Sequence, residues 1–441
     1  MPFGIDAPLR PVSSGSPAAA VAERRRGVQD SGTGPAAPPA AGRSMRLLTF
    51  STLYPNAAQP AHGVFVENRL RHLVASGEAS STVIAPVPWF PLRSERFGTW
   101  ARYARAPREE TRHGLHVLHP RFFAPPRIGM WTAPWMLQRA AEAALRRLTA
   151  QGFAFDAIDA HYLYPDGVVA AWLGRRLGKP VVITARGSDT SLLPQFALPR
   201  RLILQALDEA DALIAVSSGL RDGLVALGAP PEKVSVLRNG VDLSVFRPPL
   251  DRARARAALG IEGPMLLSVG LLIERKGHHH TISALPRLPG CTLLIAGEGP
   301  DREALAALAA RLGVADRVRL LGARPHGELP ALYGAADALV LASTREGWAN
   351  VMLESMACGT PVVAGPAWGS REAICAPEAG IVLDDVSADA IAQAVAAVLA
   401  APPARDATRA HAERFGWEET TAGQLALFRR VLAARSGGGV T

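Results

Sequence analysis

Two glutamates eight residues apart, Glu346 and Glu354, stand in the segment STREGWANVMLESMACGTPVVAG, residues 343–365. The apolar run ALVLA (338–342) precedes this segment and PVVAG (361–365) closes it, so two buried strands frame a helix over Asn350 to Cys358. Glu346 then lies in the loop before the helix and Glu354 one turn inside it. An open helix N-terminus offers free N–H groups and the positive end of a dipole, a setting for a diphosphate. Ionised carboxylates accept several hydrogen bonds, so the pair suits sugar hydroxyls. Two glutamates alone fit any βαβ crossover with an acidic helix start; the neighbouring segments decide between the readings.

Such residues need elements to position them, and the chain supplies two series of short apolar runs. LLTF (47–50), TVIAPV (82–87), DAIDA (156–160), VVIT (181–184), ALIAV (212–216) and VSVL (234–237) form the first. MLLSV (265–269), TLLIAG (292–297), VRLLG (318–322), ALVLA, PVVAG and GIVL (380–383) form the second. Amphipathic stretches between them, such as Pro134 to Thr149 and Leu198 to Asp208, read as helices. Strands alternating with helices imply an α/β fold with parallel sheets covered on both faces. The split falls near Arg247-Pro248-Pro249, giving Rossmann-like domains over 45–247 and 248–405. Residues 406–435 read as terminal helices packing back across the domains, and ligands are expected in the cleft, beyond the carboxyl ends of the strands.

Composition narrows the function classes. The chain has 441 residues, 48% apolar and 20% charged, which supports a packed core and excludes wholesale disorder. No apolar run approaches the ~18–20 residues of a membrane span. Three cysteines, Cys291, Cys358 and Cys375, are too few and too scattered for a disulfide framework or a structural zinc site, and fit a reducing cytoplasm. The net charge of +9 suits acidic partners, but nearly all of it is arginine, so charge alone identifies none. Nucleic-acid binding has no recognisable module to support it. Residues 1–44 read as a low-complexity tail rich in Pro, Ala, Gly and Ser, and Arg24-Arg25-Arg26 is not followed by the apolar stretch of a signal peptide.

The segment EGWANVMLE (346–354) resembles the E-x7-E motif of glycosyltransferase family 4, the retaining GT-B transferases that use nucleotide-sugar donors. Four blocks are similar to that family in the same order: VLRNGVD (236–242), VGLLIERKGH (269–278), LLIAGEGPDREAL (293–305) and LLGARPHGELPALYGAADALVLAS (320–343). In the amino half, YPNAAQPAHGVFVE (54–67), AHYLYPDG (160–167) and TARGSD (184–189) resemble teichuronic-acid-type and exopolysaccharide transferases of bacteria. The resemblance implies that Glu346 binds the donor sugar, helped by backbone amides at Trp348, Ala349 and Asn350, with Val351 beside them. It implies that Glu354 holds the ribose and that Lys276 neutralises the diphosphate. The family usually has an arginine where this chain has Leu271; Arg275 is the candidate for that second charge. Gly63 matches the loop that lets backbone approach the donor phosphate, although the usual Gly-Gly reads His62-Gly63. His161 occupies the position of a family histidine near the reacting centre. Arg186 and Asp189 are acceptor-side candidates, Arg186 standing where the family often has histidine.

The chemistry this implies needs no D-x-D metal site and no cofactor: cationic residues and helix dipoles bear the charge of the leaving nucleotide, UDP or GDP. The run His278-His279-His280 is not read as a metal site, because adjacent histidines on one helix point different ways. Expected partners are the nucleotide-sugar and a glycan or lipid-linked acceptor. Other readings are a different GT-B enzyme, such as an epimerase or phosphorylase, or a silent sugar- or lipid-binding module, which should lack Glu346 or Lys276. Between Trp89 and Arg112 aromatics alternate with arginines, and a second cluster comprises Arg121, Phe122, Phe123, Arg127, Met130, Trp131 and Trp135. This composition suits either core aromatics beneath a basic face or a peripheral contact with the inner face of the plasma membrane.

Overall fold

The computed structural model describes residues 44–125 and 128–437; the tail up to residue 43, and Arg127 of the aromatic and basic cluster, lie outside them. The amino half contains β1 (Met45–Phe50), β2 (Ala79–Ile84), β3 (Val87–Pro88), β4 (Glu109–Arg112), β5 (Leu115–Leu118), β6 (Arg121–Phe122), β7 (Ala157–His161), β8 (Val181–Ala185), β9 (Ala212–Ala215) and β10 (Val234–Val236). The carboxyl half contains β11 (Met265–Val269), β12 (Thr292–Ala296), β13 (Val318–Gly322), β14 (Ala338–Leu341), β15 (Val362–Ala364) and β16 (Gly380–Val382). The helices that matter to the site are α1 (Val64–Ala75), α2 (Thr99–Arg105), α3 (Gly129–Ala150), α4 (Ser218–Leu227), α5 (Asn350–Ala357), α6 (Arg405–Glu413) and α7 (Trp417–Gly437).

Eight strands form one sheet in the order β10-β9-β8-β7-β1-β2-β5-β4, six form a smaller one as β13-β12-β11-β14-β15-β16, and β3 pairs with β6 apart from both. Every residue of β7, β8 and β11 is buried, which is why these strands read as unbroken apolar runs. The expectation of purely parallel sheets needs one correction: β4 pairs antiparallel with β5 at the edge of the larger sheet. Its residues Glu-Glu-Thr-Arg alternate between exposed and half-buried, so no apolar run announced the strand.

The order in which strands are added reverses between β1 and β7 in the larger sheet and between β11 and β14 in the smaller one, each pair running parallel. At such switch points the outgoing loops diverge and leave a crevice. The loop after β1 carries Gly63, β7 ends on His161, and the loops after β11 and β14 carry Lys276 and Glu346.

Helix α3 starts five residues before Pro134, the expected start. A proline inside a helix leaves the carbonyl four residues earlier without its donor. That carbonyl, on Met130, accepts instead from the Tyr164 hydroxyl, so the helix continues through the proline. The two terminal helices divide their contacts: α6 packs on α5 of the carboxyl half and α7 on α1 of the amino half. Leu425, Leu427, Phe428 and Val431 of α7 join Leu47, Val66, Leu70 and Leu73 in one core cluster. Each such side chain contributes roughly 1.5–3 kcal/mol by leaving water.

Candidate active site

Lys276 ends a short turn after β11, and Thr344 N donates to Arg275 O at 3.1 Å, which ties that turn to the loop after β14. This tie brings the Lys276 ammonium into a hydrogen-bonded ion pair with the Glu346 carboxylate, both groups largely buried. Burial alone would raise the Glu346 pKa, but Lys276 and then Arg275 outweigh it and hold the carboxyl below its usual range. Burial pushes the Tyr162 hydroxyl of the amino half well up, and Arg275 opposes this weakly, so its charge is felt across the cleft. Leu271, where the resembling family has arginine, is exposed. The cationic group beside Glu346 is therefore Arg275 with Lys276.

Helix α5 opens at Asn350, immediately beyond this pair. Trp348 is buried, and its indole N–H donates to the carbonyl of Asn239 at 3.1 Å, so the ring anchors the loop. Ala349 is extended and buried, and Val351 packs partly against the core. Glu354 lies one turn on, 8% exposed, accepting from the Tyr333 hydroxyl at 2.8 Å and standing 3.4 Å from His326 Nε2. Its hydrogen bond raises the His326 pKa, while burial and then the Glu354 charge push the Tyr333 hydroxyl well up. Phe246 meets both the His326 and the Tyr333 rings edge-on, closing this side of the pocket.

In the amino half, Gly63 precedes α1 with φ 70°, and a Cβ there would lie 2.3 Å from Leu53 O. Only glycine fits, so the chain passes with bare backbone at the β1 switch point. His161 ends β7, buried, with Nδ1 2.7 Å from Arg186 Nη2 and Nε2 3.3 Å from Asp159 Oδ2. A guanidinium can only donate, which assigns the proton to Nε2. Burial, the largest influence, lowers the His161 pKa, so the ring is neutral at neutral pH. Asp189, an acceptor-side candidate from sequence, turns inward: it is fully buried and accepts from the backbone N–H groups of Leu163, Arg186 and Gly187. Its geometry shapes the turn that presents Arg186.

The two halves touch at these loops. Gly187 and Gly347 approach until a Cβ on Gly187 would stand 2.9 Å from Gly347 N. To one side, the Glu372 carboxylate accepts from Ser218 N at 2.6 Å, at the start of α4, and from Arg238 Nε at 2.9 Å. Trp368 covers the glycine face of α4, where a Cβ on Gly219 would meet it at 3.0 Å. On the opposite side, Arg102 of α2 reaches Glu298 of the carboxyl half at 3.3 Å.

The sequence brought Lys276, Arg275, Glu346 and Asn350 to one place, with His161 and Arg186 opposite them. It missed Asn239, Tyr333, His326 and Glu372. The first three lie inside the quoted blocks, and only Glu372 falls outside them. Of the histidine run, His278 is buried with Nδ1 on Ser268 Oγ at 2.9 Å and Nε2 on Leu271 O at 3.2 Å, while the half-buried His279 and His280 rings lie against each other. The aromatic stretch divides. Phe90, Phe97, Trp100 and Tyr103 pack on one another, while Trp89, Phe123, Trp131 and Trp135 stay exposed. Arg112 pairs with Glu67 at 2.7 Å and Arg105 with Glu95 at 3.3 Å, so several of its arginines are already neutralised.

Two family models adjoin along the chain: Glycosyltransferase Family 4 matches residues 63–245 and Glycosyl transferases group 1 matches residues 251–415. The chain belongs to this glycosyltransferase family. Among the glycosyltransferases it resembles, a D-inositol 3-phosphate glycosyltransferase of Segniliparus rotundus is 35% identical over 300 residues, 62% of this chain and 66% of that protein. One of Mycobacterium bovis is 34% identical over 304 residues, 63% of this chain and 62% of that protein. The chain thus spans slightly less than two thirds of the length of these relatives. Among solved structures, a sucrose-phosphate synthase from Thermosynechococcus elongatus superposes with a TM-score of 0.73 at 21% identity, covering 89% of this chain and all (100%) of that one. Anabaena Alr3699/HepE in complex with UDP gives 0.67 at 22% identity, over 88% and 100% of the two chains. These likenesses show the GT-B fold, two Rossmann-like domains facing across a cleft.

Proposed function

We propose that the protein transfers a sugar from a nucleotide-sugar donor, UDP- or GDP-linked, to an acceptor hydroxyl with retention of anomeric configuration. The observation that carries this reading is the Lys276–Glu346 pair at the switch point of the smaller sheet, beside the start of α5. Lys276 and Arg275 supply positive charge where a departing diphosphate develops negative charge. Glu346, held ionised by the same two residues, accepts hydrogen bonds from sugar hydroxyls. Glu354, with Tyr333 and His326 behind it, receives the ribose. A phosphate oxygen of the donor takes the acceptor proton, so no side-chain base is required, and no metal enters the scheme. A UDP complex of a protein sharing this fold, Alr3699/HepE, supports the donor class.

The acceptor is a glycan or lipid-linked intermediate of bacterial cell-surface polysaccharide or glycolipid synthesis. Trp89, Phe123, Ile128, Trp131 and Trp135, all exposed in the amino half, suit a headgroup layer, and Trp131 and Trp135 share one face of α3. No helix among the described residues is long and apolar enough to cross a membrane.

A thermal-shift screen of UDP- and GDP-sugars tests the donor. One donor should raise the melting temperature, and NMR of the product should show the anomer of the donor. Stabilisation by none of them, or an inverted product, would remove this reading. Flotation with anionic vesicles at low salt tests the surface, and Trp131→Ala with Trp135→Ala should weaken it.

A further inference from the structure

Asn239 lies in the segment that leaves the larger sheet after β10 and before the carboxyl half begins. It is 3% exposed, and its polar groups beyond the N–H divide between the halves. Its side-chain oxygen accepts from Arg186 Nη1 at 3.0 Å and from Arg69 Nη1 at 3.3 Å, both in the amino half. Its side-chain nitrogen donates to Asn350 Oδ1 at 3.2 Å, on the first residue of α5. Its carbonyl takes the Trp348 indole N–H at 3.1 Å. The residue is itself held: Gly240 runs so close to the α6–α7 turn that a Cβ would lie 2.7 Å from Gly416 O, and Val241 N donates to Phe415 O at 2.9 Å.

The electrostatics make this contact directional. Arg69 and Arg186 are two cations brought together within the fold, and burial lowers the pKa of each, Arg186 to about 9, with Arg69 contributing, and Arg69 to about 10. Both remain charged at neutral pH and repel each other. One neutral amide oxygen receives a hydrogen bond from each, while Arg69 also donates to Gln424 Oε1 and Leu237 O and Arg186 to His161 Nδ1. The other end of the same amide sets the first residue of the helix whose N-terminus faces Lys276 and Glu346.

We infer that Asn239 is a positioning residue that couples the seating of Arg186 and His161 to the placement of the α5 N-terminus. It touches no reacting atom; it acts through Arg186 on one side and through Trp348 and Asn350 on the other. The inference rests on the proposed reading of the α5 N-terminus as the diphosphate site, and its first test does not depend on that reading.

That test is hydrogen–deuterium exchange on the full chain, comparing wild type with Asn239→Ala and Asn350→Ala. Amides in 346–352 should exchange about tenfold faster in both variants, and those in 186–189 should accelerate in Asn239→Ala alone, with β1 and β11 unchanged. Asn350→Ala leaves both arginines bonded, so it reports on the link even where Asn239→Ala does not fold. Exchange in 346–352 that matches wild type in Asn350→Ala overturns the inference. The second test is kinetic: both variants should lose about a hundredfold in kcat, with the donor KM within about threefold, because a misplaced helix end costs alignment more than binding. A loss confined to KM overturns positioning in favour of plain donor contact. Faster exchange as stated, in a wild-type protein that turns over no nucleotide-sugar, upholds the coupling and removes the proposed function instead.

Discussion

Gly187 and Gly347, one from each half of the molecule, meet backbone to backbone: a Cβ on Gly347 would lie 2.3 Å from Arg186 O, and one on Gly187 would lie 2.9 Å from Gly347 N. Neither loop can close on the other if either residue carries a side chain, and the loops hold Arg186 and Glu346 respectively.

The first prediction follows from that contact. Gly347→Ala should wedge the halves apart and lower turnover about a hundredfold. Nucleotide affinity, which depends on the carboxyl half, should change little. Steady-state kinetics beside calorimetry with UDP separates the two effects, and an unchanged kcat would show that the closed contact plays no part in transfer.

Lys276→Ala should lower turnover by a factor on the order of 100–1,000, since leaving-group charge is greatest in the transition state. Lys276→Arg should retain more, although its planar fork replaces a point charge. A loss of only about twofold in the alanine variant, against the ~100-fold expected of such a group, would move the role to Arg275.

Glu354→Gln should weaken donor binding by roughly 1.5–3 kcal/mol, the worth of a hydrogen bond to a charged group, while the protein stays folded. Tyr333→Phe, which removes the hydroxyl bonded to Glu354, should weaken binding less, by about 1 kcal/mol. Titration calorimetry with the donor gives both values; equal affinity for wild type and Glu354→Gln would take Glu354 out of the site.

Burial pulls the His278 pKa down to about 4. The unfolded ring titrates at about 6.5, so between pH 4 and 6.5 the unfolded chain binds the extra proton. Stability from this residue is therefore complete above about pH 6.5 and declines as pH falls towards 4, by roughly 3 kcal/mol over the window. Urea melts at pH 7 and pH 5 should differ less for His278→Gln than for wild type. The same difference in both proteins would assign the pH dependence to other groups.

The strands were legible because both faces of β7, β8, β11 and their neighbours are covered, which leaves an apolar run in the sequence. Lys276 was expected from the family resemblance, and Glu346 from that resemblance together with its place in the loop before a helix. Asp189 shows the limit: an aspartate in a loop beyond a strand reads as a substrate ligand or a cap, and only the fold reveals that Leu163 N, across the turn, claims its carboxylate. Asn239 and Glu372 were invisible for a related reason. Their partners are distant in the chain, and no local period or spacing encodes a bond from Glu372 to Ser218 or from Asn239 to Arg69 and Asn350. The early start of α3 depended on Tyr164 satisfying the Met130 carbonyl, a contact thirty-four positions away.

Helix α7 completes the apolar cluster beneath β1 and α1, and Arg435 clamps it there through Asp211 at 2.9 and 3.2 Å. During synthesis, the strands of the amino half emerge first, yet the helix that seals one of their faces follows only after the whole carboxyl half has been made. Until then Leu47, Val66, Leu70 and Leu73 lack the apolar cover that α7 supplies. Native assembly of the first half must therefore wait for the second, so the two halves mature together rather than in the order in which they leave the ribosome.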